Sequence, residues 1–257
     1  VGNDEIRHEN RGNAKARVNV ERKARVALVV VAKFPSERES KTRLSPALDG
    51  EQRRALAEAM LLDKLDQARS IDGAELAVAY TPSDARPSFE ALVPAPVAWI
   101  DQGEGTLGDR LARVSEALFS AQYSAVILIG TDSPTLPAAR LRAAVSLLTE
   151  QPGSPHASAF VIGPAEDGGY YLLGARRFEP TLFSGIEWST PRVFSQTMIA
   201  LRSVGEHPWV LEPCYDVDVP KDLFRLGAAL ARDPSRAPRT AALLASFDLA
   251  AIEARLP

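Results

Sequence analysis

The stretch AVILIGTDSPTLP, Ala125–Pro137, joins an uninterrupted apolar run to a loop of turn-forming residues. Val126, Ile127, Leu128 and Ile129 offer no polar face, so a strand built from them must be covered on both sides, the habit of central parallel strands in layered α/β folds. VALVVVA, residues 26–32, has the same character. AELAVAY, PVAWI, ASAFVIG, YYLLG and HPWVLE are further strand candidates, and helical periods lie between them. Ala57, Leu61, Leu65 and Ala68 recur at helical spacing within residues 51–69, and Phe194, Met198 and Leu201 repeat the pattern. This alternation predicts an α/β fold: a three-layer αβα sandwich with a mixed, mostly parallel sheet and right-handed crossovers. Ligands of such sheets gather at the carboxyl ends of the strands, so the loops that follow strands are where chemistry is expected.

Prolines mark several helix entries. Thr190 is placed to cap a helix whose first turn takes Pro191, and Pro137 and Pro220 open helices after acidic loops. No internal repeat or long Gly/Ser linker divides the chain, so residues 25–257 read as one domain, with 233–257 a tail of short helices packed on its edge. Residues 1–24 mix both charge signs with Asn and Gly and read as a disordered tail.

Composition narrows the function classes. The chain has 257 residues and a formal net charge of −3, which gives no broad basic field for nucleic acid. No apolar run approaches the roughly 20 residues of a membrane span. The single cysteine, Cys214, excludes an internal disulfide and a thiolate cluster, and suits a reducing cytoplasm. His8, His156 and His207 lie far apart in sequence, in the tail, a Pro/Gly loop and a strand start, so no zinc cluster or His-based triad is visible; no G-x-S-x-G elbow exists.

Four loops carry the candidate chemistry. AKFPSERESKTRL after the first strand gathers Lys33, Arg38, Lys41 and Arg43. It is suited to a di- or triphosphate, or else is a solvated loop in which Glu37 and Glu39 balance the cations. DQGEGTLGDRL satisfies G-x-G-x-x-G formally, but not in the first βαβ unit; Gly105 reads instead as bare backbone approaching some other ligand. In TDSPTLP, Asp132 leaves an apolar strand at the middle of the sheet's mouth, where a lone carboxylate is costly unless paired, hydrogen-bonded or bound to metal. In CYDVDVPKDLFRL, Asp216 and Asp218 precede a proline-opened helix, in which Asp222 favours the dipole. Magnesium-type ions bound with nucleotides take one or two protein carboxylates, and Asp132 with one of Asp216 or Asp218 suits such a pair, or else each is a turn-forming or helix-capping aspartate. Trp188 reads as core, while Ser189 and Thr190 beside it either cap a helix or meet a phosphate at its N-terminus.

Taken in order, VVVAKFPSERESKTRL, DQGEGTLGDRL, LIGTDSPTLP, GPAEDGGYYLLG, IEWST and DVDVPKDL resemble the bacterial DUF2064 group of GT-A-type glycosyltransferases, from about Val26 to about Leu226. Molybdenum cofactor and phospholactate guanylyltransferases are similar in the basic loop, the aspartate after a central strand and the late DVDxPxD. The resemblance implies a GT-A, nucleotide-diphospho-sugar transferase, Rossmann-like fold. It implies Asp132 as principal ligand of Mg²⁺ or Mn²⁺, Asp218 as the second with Asp216 in reserve, and Lys33, Lys41 and Arg43 on phosphates. The loop PSERESKTRL lacks the glycine usual in that family.

Under this resemblance the donor is a nucleoside-diphosphate sugar and the acceptor a small molecule. The alternatives are nucleotidyl transfer from a nucleoside triphosphate to a phosphorylated small molecule, and a non-catalytic nucleotide-binding module. Asp167 or Glu166 then acts as general base or orients sugar hydroxyls, and Gly168 and Gly169 permit close backbone approach. Self-association into a homo-oligomer stays open.

Overall fold

The computed structural model describes residues 24–93, 96–149 and 158–256, so the tail expected over residues 1–24 falls almost wholly outside the described residues. The elements run β1 (Val26–Lys33), α1 (Gly50–Arg69), β2 (Glu75–Thr81), α2 (Arg86–Leu92), β3 (Ala98–Asp101), α3 (Leu107–Ser120), β4 (Ala125–Ile129) and α4 (Ala138–Thr149). They continue with β5 (Phe160–Pro164), β6 (Tyr170–Ala175), α5 (Val193–Ser203), β7 (Trp209–Val210), α6 (Pro220–Arg232), α7 (Pro238–Ala245) and α8 (Leu249–Glu253).

One seven-stranded sheet has the order β3-β2-β1-β4-β6-β5-β7. Only β6 runs antiparallel to its neighbours, pairing Leu172 with Ile129 of β4 and Leu173 with Ile162 of β5. The other pairs are parallel, with Val29 of β1 opposite Ala77 of β2 on one side and Leu128 of β4 on the other. This is the mixed, mostly parallel sheet that the apolar runs predict.

The central strands are apolar on both faces because both are covered. Val26, Leu28 and Val30 point into a cluster with Leu61 and Leu65 of α1 and Leu141 and Ala144 of α4. Ala27 and Val29 point the other way, against Leu111, Val114 and Leu118 of α3. Each valine or leucine so buried is worth roughly 1.5–3 kcal/mol. Helix α1 is buried on two sides, since Leu56 and Met60 pack with Leu223, Leu226 and Leu230 of α6, Leu244 of α7 and Ile252 of α8. A capping box starts it: Gln52 N donates to Asp49 Oδ1 at 2.9 Å, and Asp49 N donates to Gln52 Oε1 at 3.0 Å.

Two helix starts illustrate how local chemistry decides boundaries. Asp222 accepts from the backbone N–H groups of Asp218 and Val219, at 3.1 and 3.0 Å, and closes the first turn of α6 as its position suggests. Thr190 does not cap α5. Its hydroxyl donates to Glu187 O at 2.7 Å, and the helix begins three residues later, at Val193. The same hydroxyl oxygen accepts from Arg192 N at 3.3 Å, so Thr190 closes a turn ahead of the helix instead of capping it.

The sheet order places the mouth. Strands β1 and β4 are parallel neighbours whose following connections lead toward opposite edges of the sheet, to β2 and to β5, which leaves a crevice at their carboxyl ends. Strand β5 ends, and antiparallel β6 begins, at the same edge, so the Ala165–Gly169 turn joins the crevice.

Candidate functional site

An open cleft of about 720 Å³ lies at this edge. Lys33, Lys41 and Arg43 of the first loop line it, together with Asp132, Asp216, Asp218, Asp167, Gly169, Ser189 and Thr190. Ten of the residues singled out in the sequence are thus drawn from five segments into one place. Val31, Leu107, Leu111, Leu128, Tyr170 and Trp188 give the cleft an apolar wall. Trp188 meets Tyr170 edge-on, with ring centroids 6.3 Å apart.

Backbone hydrogen bonds fix the acidic segments against one another. Val217 N donates to Asp132 O at 2.9 Å, which sets Asp216 and Asp218 beside the loop after β4. The same segment binds the Ala165–Gly169 turn, where Cys214 N donates to Pro164 O at 3.1 Å and Glu166 N donates to Cys214 O at 3.0 Å. Cys214 is buried there as an apolar residue, and burial pushes its thiol above the usual range.

The charges pair in a definite pattern. The Lys41 ammonium bonds Asp132 Oδ1, lies 3.6 Å from Asp218 Oδ1 and donates to Val217 O at 2.9 Å. Its side chain is only 8% exposed, and burial alone would depress it, but Asp132 and Asp218 outweigh that and raise its pKa. Arg43 lies 3.7 Å from Asp218 on the open side. Lys33 pairs with Glu39 at 2.5 Å, both exposed, so this lysine is balanced within its own loop. Burial raises the Asp216 carboxyl to about 7, against the Ser133 hydroxyl that donates to it, and Asp132, Asp167 and Asp218 push the same way as burial. Burial likewise raises Asp218, opposed by Lys41.

These residues fit a divalent ion. Asp132 and Asp218 both lie within ion-pair distance of one ammonium, so their carboxylates share a cationic position, and Asp132 is 49% exposed. Among the described residues no three His, Cys, Asp or Glu side chains converge as a complete metal site. Two carboxylates from the protein, completed by ligand phosphates and water, is the habit of magnesium with nucleotides.

Asp167 Oδ1 accepts from Gly169 N at 2.8 Å and faces the cleft. Glu166, named beside it in the sequence, is turned away. Arg225 of α6 holds it by two bonds of 2.6 and 2.9 Å, and these bonds keep its carboxyl below the usual range. Arg225 itself lies over the Tyr215 ring, 3.9 Å from the centroid. Gly168 also misses the cleft wall. It has φ +92°, and a Cβ there would sit 2.2 Å from Pro191 O, so the glycine serves contact between the turn and the segment before α5. Gly105, at φ +111°, shapes the turn before α3, where Thr106 and Asp109 form a capping box.

Lys64 escaped notice in the sequence. Fully buried in α1, it donates to Ser133 O and Gln67 Oε1, each at 2.9 Å, while Gln67 Nε2 donates to Leu136 O at 2.6 Å. Together they hold the loop that carries Asp132. The available signal was a lysine three residues after Leu61 and directly before Leu65, on the buried stripe.

Residues 64–190 match the model of a family described as "Uncharacterized protein conserved in bacteria (DUF2064)". A crystal structure from Desulfovibrio desulfuricans G20, provisionally named a nucleotide-diphospho-sugar transferase, is 29% identical with a TM-score of 0.81 over 90% of this chain and 97% of that one. CMP:2-keto-3-deoxy-manno-octonic acid synthetase complexed with CTP is 16% identical with a TM-score of 0.54, over 82% of this chain and 100% of that one. A 4-diphosphocytidyl-2C-methyl-D-erythritol synthase from Anaerococcus prevotii DSM 20548 is 11% identical with a TM-score of 0.55, over 82% and 97%. The last two likenesses are of fold. No curated protein sequence matches the chain. The chain carries the DUF2064 match over residues 64–190 and has the Rossmann-like fold of nucleotide-diphospho-sugar transferases.

Proposed function

We propose that the protein is a divalent-metal-dependent transferase that uses a nucleoside-diphosphate sugar. The observation that carries this reading is the meeting, at the carboxyl ends of β1 and β4, of Asp132 and Asp218 with Lys41 and Arg43, beside an apolar and aromatic wall. Phosphates suit the charged half. The base and the sugar's apolar faces suit Trp188, Tyr170, Leu107 and Leu111.

Arg43, exposed and forked, grips phosphate oxygens and orients the departing diphosphate. Asp132 and Asp218 are the residues that would hold Mg²⁺ or Mn²⁺, which when bound stabilises charge on the leaving phosphates. Asp167 faces the sugar or the acceptor and takes the proton of an attacking acceptor hydroxyl, or else orients sugar hydroxyls. Glu166 supports the turn through Arg225 and is not assigned that task.

Incubation with a panel of nucleotide sugars, with and without Mg²⁺ or Mn²⁺, tests the reading. Metal-dependent turnover that Asp132→Ala abolishes supports it; the absence of any metal-dependent turnover or binding, with Asp132→Ala behaving as wild type, removes it. Nucleotidyl transfer would use the same side chains but release pyrophosphate from a triphosphate panel. A binding module would retain nucleotide and turn over nothing.

A further inference from the structure

Lys41 is unlike the other cations of its loop. Lys33 and Arg43 are exposed, whereas the Lys41 side chain is 8% exposed, with its ammonium against Asp132, Asp218 and the Val217 carbonyl. Its backbone sits at φ 49°, ψ 42°, a left-handed conformation that a residue with a Cβ adopts only at a cost. That bend starts the turn Thr42–Leu44, and Lys41 reaches down onto the carboxylates beneath it.

We infer that Lys41 is a built-in counter-ion that closes the carboxylate pair to a free divalent ion until a ligand's phosphates draw its ammonium away, so that metal and phosphates enter together. The inference rests on the reading of Asp132 and Asp218 as the metal-holding residues. An ion brought to Asp132 while the ammonium remains would meet like charge within a few ångströms, in a part-buried place where screening by water is weak. A diphosphate offers the lysine another anionic partner, which it binds as a point charge. Removing the ammonium leaves two part-buried carboxylates facing one another, and their affinity for any cation rises. The coupling is reciprocal: the factor by which a diphosphate tightens metal is the factor by which metal tightens the diphosphate.

The test titrates Mn²⁺ into the full-length wild type, Lys41→Met, Lys41→Gln and Lys41→Arg. Free Mn²⁺ is followed by electron paramagnetic resonance, first alone and then with uridine or guanosine diphosphate, after allowance for the Mn²⁺–nucleotide complex. Lys41→Met and Lys41→Gln are expected to bind Mn²⁺ alone roughly tenfold tighter than wild type, and a diphosphate to tighten wild-type binding by a similar factor. Lys41→Arg keeps the charge and stays as weak as wild type. Neutral variants that melt within a few degrees of wild type yet bind Mn²⁺ no tighter overturn the inference; failure of both diphosphates to tighten wild-type binding overturns its coupled-entry part. Tighter Mn²⁺ binding by the neutral variants without turnover of any nucleotide sugar leaves the counter-ion standing and removes the transferase reading. Metal-dependent turnover with no gain in the neutral variants does the reverse.

Discussion

At the scale of single residues, burial and partners sort the charged groups into roles that their types alone leave open. Lys64 is the sharpest case, because burial draws its ammonium down to about 8 while an unfolded lysine titrates near 10.4. Between those values the unfolded chain keeps a proton that the folded one has released, so raising the pH favours the folded state. The contribution of Lys64 is complete above the unfolded value and is lost as pH falls through about 8. Urea unfolding of wild type and Lys64→Met, compared at pH 7.5 and pH 10, should therefore shift in favour of wild type at the higher pH.

The two neighbouring acids of GPAEDGG also part company at this scale. Asp167→Asn is expected to lower kcat by about 10²-fold or more, in the range of positioned acid–base groups, while nucleotide affinity changes little. Glu166→Gln loosens an exposed pair with Arg225 and should cost no more than about 1 kcal/mol of stability. Equal loss of transfer and binding in Asp167→Asn would make that residue a structural turn.

At the scale of elements, positions are set by contacts between segments distant in sequence. Gly168 accepts at its carbonyl from Phe194 N at 2.9 Å and lies against Pro191. A methyl group there collides with backbone, and φ +92° already disfavours any side chain. Gly168→Ala should lower stability by about 1–3 kcal/mol, measured by denaturant unfolding, and loosen the cleft edge formed by Ser189 and Thr190. Asp63 belongs to the same class. Buried in α1, it accepts from Arg239 N at 3.1 Å and Thr240 N at 2.8 Å, the first turn of α7. Asp63→Ala removes that cap and should cost about 1–2 kcal/mol in the same measurement.

Most of the elements were legible because period and punctuation agree. The all-apolar runs 26–32 and 125–130 became the two central strands, and the four-four-three spacing from Ala57 became α1. The start of α5 was not legible, since the Thr190 hydroxyl, donating to Glu187 O and accepting from Arg192 N, closes a separate turn before the helix, which composition does not reveal. The pairing of Lys41 with Asp132 was hidden for a related reason. The two lie 91 positions apart, and only the parallel placement of β1 and β4 brings their loops together.

At the scale of the whole molecule, one sheet order accounts for the site. Because β1 and β4 are neighbours and β6 reverses direction, the basic loop, the Asp132 loop, the acidic turn and the DVDVP segment share one edge. The sequence showed that these loops follow strands, and the rule that ligands gather at carboxyl ends placed them near one another. It did not show that Glu166 and Gly168 face away from the cleft, because neighbours in sequence at a tight turn point in different directions.

The most direct test is calorimetric titration of UDP-, GDP-, dTDP- and ADP-linked sugars into wild type and Asp132→Ala, with and without Mn²⁺. The account predicts that at least one donor binds wild type with an affinity that Mn²⁺ raises by roughly tenfold, and that Asp132→Ala loses this gain. Binding that is indifferent to Mn²⁺ and unchanged by Asp132→Ala would contradict it.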